Sequence, residues 1–245
     1  MKLTVLNSGS SGNGYLLQNG TEALYLECGV PRAKFLGALA WELDSVKGCL
    51  LTHEHGDHAK YIEDYLRFMP VYCSKGTAEV IDYKKKRRPI VLEALKTVHL
   101  GGFAVRPIPA EHDAAQPFAY IIDHADFGRL LFATDTYYLR YRIPKMNNIM
   151  IECNYSLPIL NANIEAGIIP AALKNRTLAS HMSLENLKKM LAANDLSQVS
   201  RIVLIHLSGN NANKEAFVRD IIAQTGRCTI AATKGLEIEL NKTPF

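Results

Sequence analysis

The chain has 245 residues, 48% of them apolar and 21% charged, ordinary globular values that exclude collagen-like, disordered and disulfide-scaffold classes. At about 150 residues per domain it fits one large domain or two small ones, with a core that needs no covalent staples. The net charge of +4 is mildly basic, compatible with an anionic partner without naming one.

The opening MKLTVLNSGSSGNG has one early Lys and no long apolar run, so no secretory signal is predicted. No stretch of about 18 apolar residues occurs, so no transmembrane helix is expected. The five cysteines, Cys28, Cys49, Cys73, Cys153 and Cys228, include no Cys-x-x-Cys pair and read as free thiols in a reducing cytoplasm.

Residues 2–7 read as a short strand ending in a turn at 8–14. Strands at 15–18 and 23–27 flank Asn19-Gly20, a hairpin signal. A helix is expected over 31–43, with Pro31 suited to its first turn. An apolar run at 46–52 leads into a His-rich turn and a helix from about 59 to 68. Strand runs follow at 71–73, 90–92, 103–108, 118–122, 130–133 and 149–152, and residues 157–178 are mixed. A helix at 183–193 has Ser183 as N-cap. Strand 202–205, helix 214–224 and strands 229–231 and 236–240 complete the order. Strands in both halves with helices between them fit one α/β domain, 1–245, of two sheets flanked by helices.

The sharpest chemical signal is Thr52-His53-Glu54-His55-Gly56-Asp57-His58, with four candidate ligands in six residues. In an extended chain positions 53, 55 and 57 project to one side, and His58 opens the following helix. His112, Asp135 and His206 each follow an apolar strand, where α/β proteins gather ligands. A single histidine is usually an ordinary surface or core residue, and His99 and His124 are read that way. Four candidate ligands in six residues are not explained as solvated surface. The set is imidazole and carboxylate without thiolate, which suits Zn, Mn, Fe or Co and disfavours a structural cysteine site. Seven ligands exceed one tetrahedral ion and suit two divalent ions, Zn or Mn foremost. His53, His55 and His112 are assigned to one, Asp57, His58 and His206 to the other, with Asp135 bridging. A hydroxide bridging such a pair would be the nucleophile for ester hydrolysis.

Taken together, His53, His55, Asp57 and His58, with His112, Asp135 in FATDT and His206 in VLIHLS, resemble the metallo-β-lactamase superfamily over essentially the whole chain. The resemblance implies an αββα four-layer sandwich, two mixed β-sheets flanked by helices, with a dinuclear site at one edge. The opening SGSSGN, residues 8–13, is similar to the single-domain phosphodiesterase and nuclease branch. In particular it resembles the bacterial YycJ/WalJ-like DNA exonucleases and related phage-encoded hydrolases. That branch has a later His-x-Ser element, matched by His181-Met182-Ser183, which also looks like the element of tRNase Z near the scissile phosphate. The family usually has Asp-x-Gly after its third strand, where this chain has Glu27 in ECG. That acid supports a ligating histidine from behind in the family, which makes Glu27 a candidate for the same role.

Asp57 and His181 are the residues expected to be catalytic, with His181 binding a phosphate or protonating the leaving oxygen. A purely structural histidine at a helix start is the alternative. Tyr137, Tyr138, Tyr141, Arg140 and Arg142 follow Asp135 directly. They read either as stacking and phosphate contacts or as an ordinary packed segment. The run Lys84-Lys85-Lys86-Arg87-Arg88 reads as a solvated loop, or as a nucleic-acid contact if it lies near the cleft. Ser11 or Asn13 could donate to a phosphate oxygen from the glycine-rich turn. The resulting expectation is a cytoplasmic metal-dependent phosphodiesterase acting on nucleic acid, DNA before RNA, as an exonuclease. The binding surface would come from this domain or from a second subunit of a homodimer. A small-molecule hydrolase, acting on a cyclic nucleotide, thioester or lactone, is the second reading. A DNA-binding subunit with structural metals is the third.

Overall fold

The structure, a computed structural model, describes residues 1–40, 42–84 and 86–243. Its first half builds β1 (Lys2–Asn7), β2 (Gly14–Gln18), β3 (Ala23–Leu26), α1 (Arg32–Ala38) and a 3-10 turn at Leu43–Ser45. It continues with β4 (Val46–Leu50), α2 (Gly56–Ala59), α3 (Ile62–Tyr65), β5 (Val71–Cys73), α4 (Lys75–Val80) and β6 (Ile90–Val91). The second half adds β7 (Val98–Leu100), β8 (Phe103–Pro109), β9 (Phe118–His124), β10 (Gly128–Ala133) and β11 (Asn148–Glu152). After these come α5 (Leu157–Glu165), α6 (Ala172–Ser180), α7 (Leu184–Ala192), β12 (Arg201–Ile205), α8 (Lys214–Thr225), β13 (Cys228–Ala231) and β14 (Glu237–Glu239).

The strands form two seven-stranded sheets, ordered β14-β1-β2-β3-β4-β5-β6 and β13-β12-β11-β10-β9-β8-β7. Both are mixed. The β1-β2-β3 meander is antiparallel and β3-β4-β5-β6 parallel. The β7-β8-β9-β10 ribbon is antiparallel and β10-β11-β12-β13 parallel. Three apolar layers separate four layers of structure. Leu3, Val5, Leu26, Phe118, Tyr120 and Phe132 pack between the sheets. Phe35, Tyr65, Val71 and Cys73 lie where the first sheet meets its helices, and Leu187, Leu191, Phe217 and Ile221 where the second does. This is the αββα sandwich that the family resemblance implies.

Local details depart from the expected elements. The helix expected over 31–43 ends at Ala38, and Ala40 takes a left-handed φ of 52°; Trp41 lies outside the described residues. The helix expected from 59 to 68 is two short ones, α2 and α3. Asp57 therefore sits in a helical turn rather than on an extended chain, because the His55 carbonyl already accepts from His58 N and Ala59 N. The mixed stretch 157–178 becomes α5 and α6, and β7 is an additional edge strand. Ser183 does cap α7, its hydroxyl accepting from Asn186 N at 3.1 Å. All five cysteines are free, with only Cys228 exposed. No helix among the described residues is long and apolar enough to cross a membrane.

The parallel strands determine where polar residues converge. Register pairs Ala133 with Ile151 and Glu152 with Ile205, so β10, β11 and β12 end level with one another. Across the sandwich β3 and β4 also run parallel. The two groups of strand ends meet through β9: Phe118 N donates to the Thr52 carbonyl at 3.0 Å and Tyr120 OH to the Leu51 carbonyl at 2.6 Å.

Candidate metal centre

The loop 52–58 after β4 meets the β8–β9 connection, the β10 end and the β12 end. This brings all seven expected ligands together. His53, His55, His112 and Asp135 form one cluster, and Asp57, His58, Asp135 and His206 another; within each, the ligand atoms lie within 4.8 Å of one another. Asp135 belongs to both, with Oδ2 3.8 Å from His53 Nε2 and 3.6 Å from His112 Nε2. Its Oδ1 lies 3.4 Å from His58 Nε2.

The donor geometry fits divalent cations. Four donors held about 2.0–2.2 Å from one ion stand about 3.3–3.6 Å apart at tetrahedral angles. Observed separations include 3.1 Å for His112 Nε2 to His55 Nδ1 and 3.1 Å for His206 Nε2 to Asp57 Oδ2. His53 Nε2 is buried with no hydrogen-bond partner, an atom that a cation would satisfy. Its other nitrogen is engaged, Nδ1 standing 2.9 Å from Thr52 Oγ1. His112 is oriented likewise, Nδ1 donating to the Ser180 carbonyl at 2.6 Å.

The electrostatics agree. Burial pushes His53 well below the usual imidazole value, and neighbouring His58, His112 and His55 add to that effect. Burial also lowers His112. Both are thereby held neutral, the form that ligates. His206 behaves oppositely: burial lowers it, but Asp135, Asp57 and Glu152 outweigh burial and carry it to about 10. Burial would raise Asp135, yet His206, His58 and His53 hold it well below the ordinary carboxylate range. Protons thus accumulate where the carboxylates demand positive charge, and a cation would replace them.

Behind the ligands, Glu27 Oε2 stands 3.4 Å from His58 Nδ1 and 3.4 Å from Thr52 N, fully buried. It stands behind the His58 ring with a left-handed φ of 71°. Asp135 and His206 are also left-handed, at 46° and 50°. Such conformations cost of order 1–3 kcal/mol each. They turn the chain sharply at or just beyond a strand end, where each side chain enters the ring.

Glu152, at the end of β11, is a site residue that the motif reading missed. Its buried carboxylate has Oε1 2.7 Å from His181 Nδ1 and 3.0 Å from His206 Nδ1. Oε2 accepts from Thr136 N at 3.1 Å and Met182 N at 2.9 Å. Burial raises its pKa, but His181 and the hydrogen bonds win and leave it below the usual value. His181 is lowered by burial and raised by more from Glu152 and Asp135, so it rests above the ordinary imidazole value.

The ring opens into a cleft of about 470 Å³ whose lining includes His55, Asp57, His112, Asp135, His181 and His206. Ser10, Leu173, Arg176 and Thr177 also line it. The residues expected to meet substrate lie otherwise. Asn13 is fully buried beneath the ring, Oδ1 accepting from Gly9 N and Nδ2 3.1 Å from His58 Nε2. It braces the ligands instead of facing the cleft. Ser11 Oγ accepts from Asn7 Nδ2, and its neighbour Ser10 takes the cleft position. Tyr137, Tyr138 and Arg140 are not among the cleft-lining residues. The Tyr137 backbone is tied to the Glu111 carbonyl, and Arg140 Nε to Glu111 Oε1 at 2.5 Å. Of the basic run, Lys86 and Arg87 border a separate surface hollow with Glu63, and Arg88 lies over the Tyr83 ring; Lys85 lies outside the described residues. His124 is a buried structural residue with Glu22 Oε1 2.8 Å away, and His99 is exposed.

Close backbone approach makes this arrangement possible. Asn13 N donates to the Asp57 carbonyl at 2.7 Å, and a Cβ on Gly29 would stand 1.8 Å from that same oxygen. Only glycine leaves room there.

Similarity to known proteins defines the class. Residues 31–207 match the family profile described as beta-lactamase superfamily domain, and the chain belongs to that superfamily. It is a metal-dependent hydrolase. The chain is 28% identical over 249 residues to a protein named exodeoxyribonuclease WalJ of Streptococcus pneumoniae, covering 94% of this chain and 90% of the relative. It is also 28% identical to exodeoxyribonuclease YycJ of Bacillus anthracis, covering 88% and 85%. Among solved structures, the metallo-beta-lactamase fold protein YhfI from Bacillus subtilis superposes with a TM-score of 0.75 at 17% identity, covering 97% and 98% of the two chains.

Proposed function

We propose that the protein is a phosphodiesterase of nucleic acid, most specifically a DNA exonuclease of the cytoplasm, using two divalent ions of Zn or Mn. The observation that carries this is the meeting of the ligand ring and the Glu152-held His181 in one open cleft. A proton donor beside a cation ring suits cleavage of an ester with a poor leaving oxygen. The relatives named exodeoxyribonucleases favour DNA.

Two cations bound here would supply charge neutralisation at the phosphoryl group and a water activated near neutral pH. The chain's own residues supply the remainder. Burial raises Asp57, but hydrogen bonds from His206 and His58 hold its carboxyl far below the usual range, so it faces the cleft as an anion able to orient an attacking water. Glu152 accepts the Nδ1 proton of His181, which fixes the ring and keeps it charged. The other ring nitrogen can then give a proton to the departing oxygen. Glu27 stands behind His58 at Nδ1, and Asn13 Nδ2 meets its Nε2 from the edge of the ring.

The test is metal-loaded protein incubated with end-labelled single- and double-stranded DNA, RNA and cyclic mononucleotides, beside Asp135→Ala. Mononucleotides released from DNA ends, and lost in the variant, support the reading. Intact polymers with cleaved cyclic nucleotides would replace it with the small-molecule reading.

A further inference from the structure

One wall of the cleft is α6. Leu173, Arg176 and Thr177 line it from one helical face, at positions i, i+3 and i+4. The Thr177 hydroxyl is already committed to the Leu173 carbonyl at 3.0 Å. Arg176 is the one permanently charged cation among the cleft-lining residues. Its Nε donates to Asp113 Oδ2 at 3.2 Å, and Asp113 Oδ1 stands 3.4 Å from His112 Nε2. A single carboxylate therefore holds the guanidinium beside the ligand ring. The C-terminal end of α6 is tied to the same ring, since the Ser180 carbonyl accepts from His112 Nδ1 and His181 follows directly.

The pairing with Asp113 uses Nε and leaves the terminal nitrogens of Arg176 bonded to no other described residue, on a side chain 66% exposed. A guanidinium with its two terminal groups free matches two oxygens of one phosphate. Leu173, 46% exposed beside it, offers an apolar face of the kind a sugar or base covers. The ligand ring already supplies the place for the phosphate being cleaved, so a second cation one residue outside the ring serves a second phosphate.

We propose that Arg176 binds the phosphate next to the scissile one, making the preferred substrate a chain of at least two phosphates and not an isolated diester. This rests on the phosphodiesterase reading above.

The experiment compares metal-loaded wild type, Arg176→Ala and Arg176→Lys on bis(p-nitrophenyl) phosphate, which has one phosphate, and on a single-stranded oligodeoxynucleotide. Metal content is measured for each protein. In Arg176→Ala, KM for the oligonucleotide rises about 10- to 100-fold, the usual effect of losing a charge-assisted bond, with kcat little changed. Its salt dependence falls by about 0.7 in log-log slope. On bis(p-nitrophenyl) phosphate kcat/KM stays within about twofold, and Arg176→Lys recovers part of the oligonucleotide loss. Equal losses on both substrates, or lost metal, would show that Arg176 acts only through Asp113 on the ring and overturn the proposal. An unchanged oligonucleotide KM beside normal wild-type cleavage overturns it too, while leaving the phosphodiesterase reading intact. A wild type that hydrolyses the small diester but neither binds nor cleaves oligonucleotides removes the nucleic-acid reading and this inference together.

Discussion

His181 and Glu152 share a 2.7 Å hydrogen bond between Nδ1 and Oε1, made to a carboxylate with no exposure to solvent. Glu152→Gln keeps the size and the acceptor but removes the charge that holds the imidazolium. The expected outcome is a fall in kcat of about 10- to 100-fold, as for other residues that orient a working histidine. Because Glu152 Oε1 also meets His206 Nδ1 at 3.0 Å, metal affinity falls as well, and kcat is compared at saturating metal. Steady-state kinetics with elemental analysis checks it, and an undiminished kcat would reduce Glu152 to a packing residue.

Asp135 faces both ligand clusters. Asp135→Ala is expected to abolish activity and to lower the bound metal below that of any single-histidine variant. A chelator acts similarly on the wild type. A ligand at about 100 times its dissociation constant contributes about 2.7 kcal/mol to stability, so stripping the ions should lower Tm by about 5–10 °C for a chain of this size. Calorimetry with and without chelator, followed by Mn or Zn addition, measures this; a Tm indifferent to metal contradicts it.

Gly29→Ala forces a methyl group onto the Asp57 carbonyl, 1.8 Å from the position of its Cβ. Overpacking of this kind costs about 1–3 kcal/mol, and Tm should fall by about 2–12 °C. Because the displaced carbonyl belongs to a ligand residue, metal affinity should fall as well. Thermal melts paired with metal titration distinguish this from simple loss of stability, which would leave the affinity of the folded fraction unchanged.

Far from the ring, Glu22 joins the sheets by accepting from Gly102 N at 2.7 Å, with His124 Nε2 2.8 Å from its other oxygen. Burial raises its pKa, but these two bonds and the His124 charge prevail and hold it below 4.5. The unfolded chain therefore binds more protons in this range, and stability rises with pH. The contribution is present in full above about 4.5 and disappears as pH falls through the lowered folded value. Glu22→Gln should melt lower than wild type at pH 6 and approach it at pH 3. Parallel curves across that window would contradict the assignment.

The legible part of the site was local in the chain. His53, His55, Asp57 and His58 announce themselves by spacing, and His112, Asp135 and His206 by following apolar strands. Glu152 also ends a strand, but nothing near it marks it. Its partners His181 and His206 lie 29 and 54 residues away; His206 reaches it through the parallel register of β11 and β12, and His181 from the end of α6, where Asn154 N donates to the Met182 carbonyl. Arg176 was hidden for a similar reason, since α6 acquires its place from Ser180 and Asp113. For Tyr137, Tyr138 and Arg140 the sequence leaves substrate contact and ordinary packing both open. Nearness to Asp135 in sequence suggested nearness to substrate, but the left-handed turn at Asp135 is followed by a segment pinned to Glu111. Strand runs in both halves point to two sheets flanked by helices, and the motif resemblance implies the sandwich; short helices such as α2 are not legible, being set by backbone bonds to His55.

The ligand ring draws His53, His55, Asp57 and His58 from the first sheet's side and His112, Asp135 and His206 from the second's. Elsewhere the sheets are held by apolar packing and by a few directional bonds, such as Tyr120 OH to the Leu51 carbonyl and Gly102 N to Glu22. Cations gripped from both sides would add a rivet at one rim of the sandwich. Metal loading thereby becomes a mechanical setting of the molecule, and amide exchange at the ends of β4, β10 and β12 would report how tightly that rim is clamped.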